Sequence, residues 1–171
     1  MPVRALKHSW RALQVWPDRR RWVAAAGLAL PATAIIALSG YLGGWLRFEP
    51  VAISGVAHLV GLILLFVAVL AEELVFRGLL LSAFAAFSQR LGNWLSIGLF
   101  VLWQPVQALV FSPPWSAILL QPSFLFATFI LGIVVTHIRI VSQSLWPAIL
   151  IRWLLLVVWT LLLGGPFCGK G

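Results

Sequence analysis

The sequence predicts an all-α, polytopic transmembrane helix bundle of about five or six membrane helices, and three observations carry that prediction. Hydrophobic residues make up 62% of the chain and charged residues only 9%, whereas a soluble domain is about half apolar and a quarter charged. Mean hydropathy is +1.04. The apolar residues fall into runs near the length of about 20 residues that a helix needs to cross a bilayer core, and the runs are separated by short polar or Pro/Gly-bearing connections.

The chain divides into a basic arm at 1–21, a membrane domain at 22–165 and a tail at 166–171. Arg4, Lys7, Arg11, Arg19, Arg20 and Arg21 precede the first apolar run, against Asp18 alone. The net charge of +8 is therefore a flank that places the N-terminus in the cytoplasm by the positive-inside rule. Its expected contacts are the lipid bilayer and anionic lipid headgroups, not nucleic acid. Trp10 and Trp16 suit a short helix lying on that surface. The apolar run behind the flank exceeds a cleaved leader's apolar stretch of about 7–15 residues, so it is expected to stay as the first span.

That span covers 22–42, with a tolerated kink at Pro31. Gly40 and Gly44 carry a weak small-xxx-small spacing before a loop at 43–50. Residues 51–88 are apolar apart from His58 and one charged motif. As a single helix they would extend about 57 Å, too long for a core of about 30 Å, which predicts one span to about Leu70 and a second helix from about Ala71 to Ser88. Gln89, Arg90, Gly92 and Asn93 read as a loop, 94–111 as a span and Ser112-Pro-Pro-Trp115 as a turn. Pro122 is a favoured first-turn residue and opens a span to about Ile138. The polar stretch from His137 to Ser144 connects it to a last span at 145–163, ended by Gly164-Gly165-Pro166. Trp22, Trp45, Trp94, Trp115 and Trp146 fall at span ends, as an interfacial aromatic belt requires. Arg90 and Arg139 share the cytoplasmic side with the arm if 51–88 crosses once in net terms.

The charged motif is Glu72-Glu73-Leu-Val-Phe-Arg77, and it holds two of the four acidic residues in the chain. An ionisable side chain at membrane depth costs at least about 2.5–3.5 kcal/mol and marks a functional site by default. Glu73 and Arg77 lie one helical turn apart and are expected to pair. Glu72 points about 100° away with no partner in its own segment. The plain alternative is an ion pair that only fastens helices, with Glu72 snorkelling to the interface. Arg152 is the other charge deep in an apolar run, and facing it toward Glu72 brings the set Glu72, Glu73, Arg77 and Arg152 to zero charge.

Residue inventory removes several intramembrane chemistries. No His-Glu-x-x-His run is present, and the one aspartate, Asp18, lies in the arm. Ser54 and His58 share a helix face, but no oxyanion motif surrounds them, and a lone His on an apolar helix is ordinarily hydrogen-bonded packing. The single cysteine, Cys168, excludes an internal disulfide and a four-thiolate metal site, and Cys168-Gly-Lys-Gly lacks the aliphatic pair of a prenylation signal.

The Glu-Glu-x-x-x-Arg pattern of Glu72, Glu73 and Arg77 resembles the first motif of the CPBP intramembrane proteases, which include type II CAAX-prenyl endopeptidases and bacteriocin-processing or immunity proteins. Phe100-Val-Leu-Trp-Gln104 resembles the family's Phe-x-x-x-His motif, with Gln104 at the His position. Ser144-Leu-Trp-Pro-Ala-Ile-Leu-Ile-Arg152-Trp resembles its third motif, with Arg152 where His belongs. The resemblance runs from about residue 50 to 165. It implies the CPBP fold and peptide-bond cleavage at the membrane, near a membrane-bound or prenylated peptide terminus. It makes Glu72 the base or metal ligand, Glu73 and Arg77 the structural pair, and Gln104 and Arg152 the remaining metal positions.

The departures bear on function. Glutamine has no usable pKa, and arginine neither ligates Zn²⁺ nor acts as a base. Leu156, four residues beyond Arg152, offers no oxyanion donor. The expectation is a degenerate homologue with no cofactor, binding zinc only if the family site is retained. The alternatives are a scaffold that captures a partner's transmembrane segment without cutting it, and a live hydrolase in which Glu72 activates water while Gln104 and Arg152 stabilise the oxyanion.

Overall fold

Asp18 starts the first long helix. Its carboxylate accepts the Arg21 backbone N–H at 2.9 Å, satisfying a donor that a helix start otherwise leaves unpaired. In the computed structural model, which describes residues 10–51, 55–113 and 115–165, this helix, α1, spans Arg19–Leu42. Its successors are α2 (Gly55–Ala85), α3 (Gln89–Phe111), α4 (Ser116–Leu119), α5 (Pro122–Ser142) and α6 (Trp146–Leu162). Among the described residues, four helices (α1, α2, α3 and α5) are long and apolar enough to cross a membrane, and α6 is a shorter apolar helix. The result is an all-α polytopic bundle.

The expected break near Leu70 is absent. With neither Gly nor Pro between Leu62 and Arg77, backbone pairing continues through a π-helical segment at Leu74–Leu80. Such wide turns favour functional sites. At 31 residues, α2 is about 46 Å long and must tilt or protrude from a core of about 30 Å. Gln89 to Asn93, expected as a loop, are instead the first turn of α3, whose start is capped by the Ser88 hydroxyl accepting Leu91 N–H. The helix of His137 likewise continues through Ser142, where Gln143 takes a left-handed conformation and ends it. Arg4, Lys7, Ser54 and the tail with Cys168 lie outside the described residues.

Three apolar clusters hold the bundle. Small residues let α1 approach α5 and α6 closely, with Ala25 and Ala29 against Val135, Ile138 and Ala148. At the end far from the arm, Trp45 packs edge-on to Phe124 and Trp159 at 5.3 and 5.6 Å. Trp45 is thus a core residue, 8% exposed, not a member of the aromatic belt. Gly44, at φ +72°, makes the turn that folds this ring inward. Residues 47–51 then run alongside the end of α6: Arg47, Glu49 and Val51 N–H donate to the carbonyls of Leu163, Leu162 and Leu161 at 3.2, 3.0 and 2.8 Å. These bonds satisfy carbonyls that a helix end leaves free. The third cluster joins the arm to α2 and α6 through Ala12, Val69, Leu145 and Ile149.

Candidate functional site

The two glutamates occupy the turn of α2 just before the π segment. Glu73 and Arg77 are completely buried, Gln104 and Arg152 nearly so, and Glu72 keeps 20% of its side chain exposed. Arg77 Nη1 donates to Glu73 Oε1 at 3.2 Å. The π segment turns Phe76, Arg77 and Gly78 inward together. Ser96 of α3 fastens it by donating from Oγ to the Phe76 carbonyl at 2.7 Å.

Arg152 reaches across from α6 and engages both acids. Its Nη2 donates to Glu72 Oε2, and its Nη1 donates to Glu73 Oε1 at 3.0 Å. The sequence places Arg152 against Glu72; its second bond to Glu73 is a finding of the structure. The ring of Phe100 lies against both guanidinium groups, 4.0 Å from Arg77 Cζ and 4.6 Å from Arg152 Cζ. An aromatic face in such a position attracts both cations and shields them from lipid.

Two residues that sequence reasoning missed complete the site. Trp103 Nε1 and Gln107 Nε2 both donate to Glu72 Oε1, at 3.1 and 2.9 Å. They sit four residues apart on α3 and therefore share a face. Gln104 lies one residue further round, and among the described residues none of the hydrogen bonds to Glu72 comes from it. Gln107 and Gln104 are the two polar side chains in the apolar stretch from Ile97 to Phe111, and that was a readable signal for Gln107. Nothing in the sequence distinguishes Trp103 from the chain's other tryptophans.

The cluster carries two negative and two positive charges, so it sums to zero in a dry interior, as a membrane site must. A cation fits it poorly. Glu72 already accepts from three donors, and the Arg152 guanidinium bridges both carboxylates that a metal would need as ligands. Among the described residues no group of three His, Cys, Asp or Glu side chains converges. Zinc requires neutral imidazole, thiolate or carboxylate ligands, which Gln104 and Arg152 do not supply. Ser54, the companion of His58, lies outside the described residues, so that pair has no described geometry.

A family described as type II CAAX prenyl endopeptidase, Rce1-like, matches residues 53–158, which is more than half of the chain. The chain belongs to this family. The matched stretch contains both glutamates, Arg77, Phe100, Gln104 and Arg152, and so the whole ion cluster. Together with the four long apolar helices, membership makes this an integral, multi-pass membrane protein homologous to CAAX-protease-like membrane endopeptidases. No curated protein and no solved structure matches the chain.

Proposed function

We propose that this chain is a catalytically silent member of its family, which holds a membrane-embedded segment of a partner without cutting it. The observation that carries the reading is the bridge from Arg152 to both Glu72 and Glu73. A general base must reach a water proton with a lone pair. Glu72 commits three of its about four acceptor sites to Arg152, Trp103 and Gln107, and the first of these donors is a cation that also bridges Glu73. An active glutamate hydrolase would require Arg152 to leave two carboxylates and stand over a developing oxyanion. Breaking a buried pair costs about 3–5 kcal/mol, which works against that route.

The site still sits between α2, α3 and α6, where a family enzyme would meet its membrane-bound or prenylated peptide. The arm and its arginines face the cytoplasm in this reading, against anionic headgroups. The direct test restores both histidines as Gln104→His with Arg152→His, then assays cleavage of membrane-tethered peptides, prenylated and not, together with zinc content. The native protein is expected to cleave none of them and to purify without stoichiometric zinc, while the double variant gains metal, cleavage or both. Peptidase activity with bound zinc in the native protein would sink the proposal.

A further inference from the structure

Beside the ion cluster, a row of buried polar atoms finds no hydrogen-bond partner among the described residues: Oε2 of Glu73, Nε and Nη2 of Arg77, Oγ1 of Thr136 and Nε of Arg139. Arg77 sets the direction of the row. Its Nη1 is taken by Glu73, and one face of its guanidinium is covered by Phe100. Nε and Nη2 form the remaining edge of the fork, two N–H donors side by side, on a side chain with 0% exposure. A buried charged donor left unmet costs more than a neutral one, so this edge requires an acceptor. Gly132 of α5 leaves room for one: a Cβ there would stand 3.6 Å from Arg77 Nη2.

Thr136 lies one turn beyond Gly132 on α5, and Arg139 lies two turns beyond, so all three share a face. Thr136 is 2% exposed. A helical threonine can satisfy its hydroxyl by donating to the carbonyl four residues back, as Thr33 does to Ala29 at 2.8 Å. Thr136 makes no such bond to Gly132, and its hydroxyl stays open to another group. Arg139 is half-buried and carries the row to the end of α5 nearest the arm, where Arg21 Nη1 donates to the Ser142 carbonyl at 2.9 Å.

This lining mixes donors at Arg77 and Arg139, an acceptor at Glu73 and a hydroxyl that can serve as either. Water matches such a mixture, because a buried water makes about three hydrogen bonds to polar groups otherwise unmet. An anion does not, since it would meet the Glu73 carboxylate and charge a cluster that sums to zero. We propose that a single file of bound water molecules, in an otherwise dry interior, runs from the fork edge of Arg77 past Gly132 and Thr136 to Arg139. It links the Glu73–Arg77 pair to the aqueous phase at the arm's end of the bundle, by a route separate from the exposed side of Glu72.

The test measures water contact in the full-length native protein in lipid vesicles. Solid-state NMR of the isotope-labelled chain assigns Arg77 Nε–H, and magnetisation is then transferred from water protons. Arg77 Nε–H is expected to receive it several-fold faster than the Val135 N–H, whose residue is 0% exposed and packs toward α1. Transfer no faster than at Val135 overturns the proposal. So does an Arg77 signal that moves when chloride is replaced by a bulky organic anion, because the occupant is then an anion. Thr136→Val supplies an independent sign. In a wholly dry interior it removes an unpaired hydroxyl together with its burial cost, and the variant melts at or above the native temperature. On a water file it breaks a link, and it is expected to lower the melting temperature by about 2–4 °C and to slow transfer to Arg77. A melting temperature unchanged or raised overturns the proposal, and if the variant does not fold, the measurement on the native protein decides alone. Neither readout depends on whether the protein cuts peptides or holds them.

Discussion

Removing the Arg152 guanidinium is the sharpest perturbation available. Arg152→Ala deletes one partner from each of two carboxylates, and both of those carboxylates lie in a region with little water: Glu73 is 0% and Glu72 20% exposed at the side chain. The neutral set of Glu72, Glu73, Arg77 and Arg152 becomes a set with one uncompensated negative charge. Loss of one member of a buried pair costs about 3–5 kcal/mol, and for a chain of this size that lowers the melting temperature by roughly 10 °C. Glu72→Gln in the Arg152→Ala background restores neutrality, because Glu73 and Arg77 still pair. The double variant should recover most of the loss and remain about 1–2 kcal/mol below the native protein for hydrogen bonds not remade. Thermal unfolding in nanodiscs, followed by tryptophan fluorescence, reads all three proteins. If Arg152→Ala leaves the melting temperature within error, or if Glu72→Gln adds further destabilisation, the charge-balanced clamp is refuted and with it the placement of the third motif on Arg152.

Trp103→Phe keeps the ring and removes one donor to Glu72, so it should cost about 1.5–3 kcal/mol in the same unfolding assay, and much less once Glu72 is Gln. Gly132→Ala places a Cβ 3.3 Å from Ile97 Cγ2 and Phe100 Cδ1 and 3.6 Å from Arg77 Nη2; this crowding should offset the roughly 1 kcal/mol that alanine gains over glycine in a helix, so the variant should melt below Gly98→Ala, whose new Cβ meets nothing within 4 Å. Single cysteines at Arg20, Arg90 and Arg139 in a Cys168→Ser background should all react from the cytoplasmic side with an impermeant reagent. A split between Arg20 and Arg90 would mean that α2 does not cross once.

The bundle was readable because membrane helices declare themselves by length and apolar content, and every long helix begins or ends within a few residues of a Pro, Gly, Ser or Asp that the sequence displays. Boundaries failed where those signs conflict with backbone pairing. Gln89 to Asn93 look like a loop by composition, yet Ser88 caps them into a helix. The motif of Glu72 looks like the start of a new helix because 51–88 is too long for one span. Length alone does not distinguish a break from a continuous helix that tilts or protrudes, and the structure takes the second course, with a π segment inside one unbroken helix.

The ion cluster was legible for a different reason. Charges are so few in this chain that two unpartnered ones at membrane depth have almost no choice of mate, and electroneutrality alone directs Arg152 toward Glu72. That argument identifies who must meet, but not how. It is silent on the second bond from Arg152 to Glu73, and on the neutral donors Trp103 and Gln107, because a hydrogen-bond donor leaves no imbalance of charge in the sequence. The same asymmetry explains why Gln104 drew attention and Gln107 did not. Gln104 stands out against the family's histidine, whereas the role of Gln107 depends on the face that α3 presents to Glu72, which is set by the rotation of a packed helix. Glu73 Oε2 and two nitrogens of Arg77 remain buried without a hydrogen bond among the described residues. A cluster left partly unsatisfied stabilises little compared with an apolar replacement of the same shape. Its contribution is therefore to orientation, fixing α2, α3 and α6 in one register around a carboxylate pair.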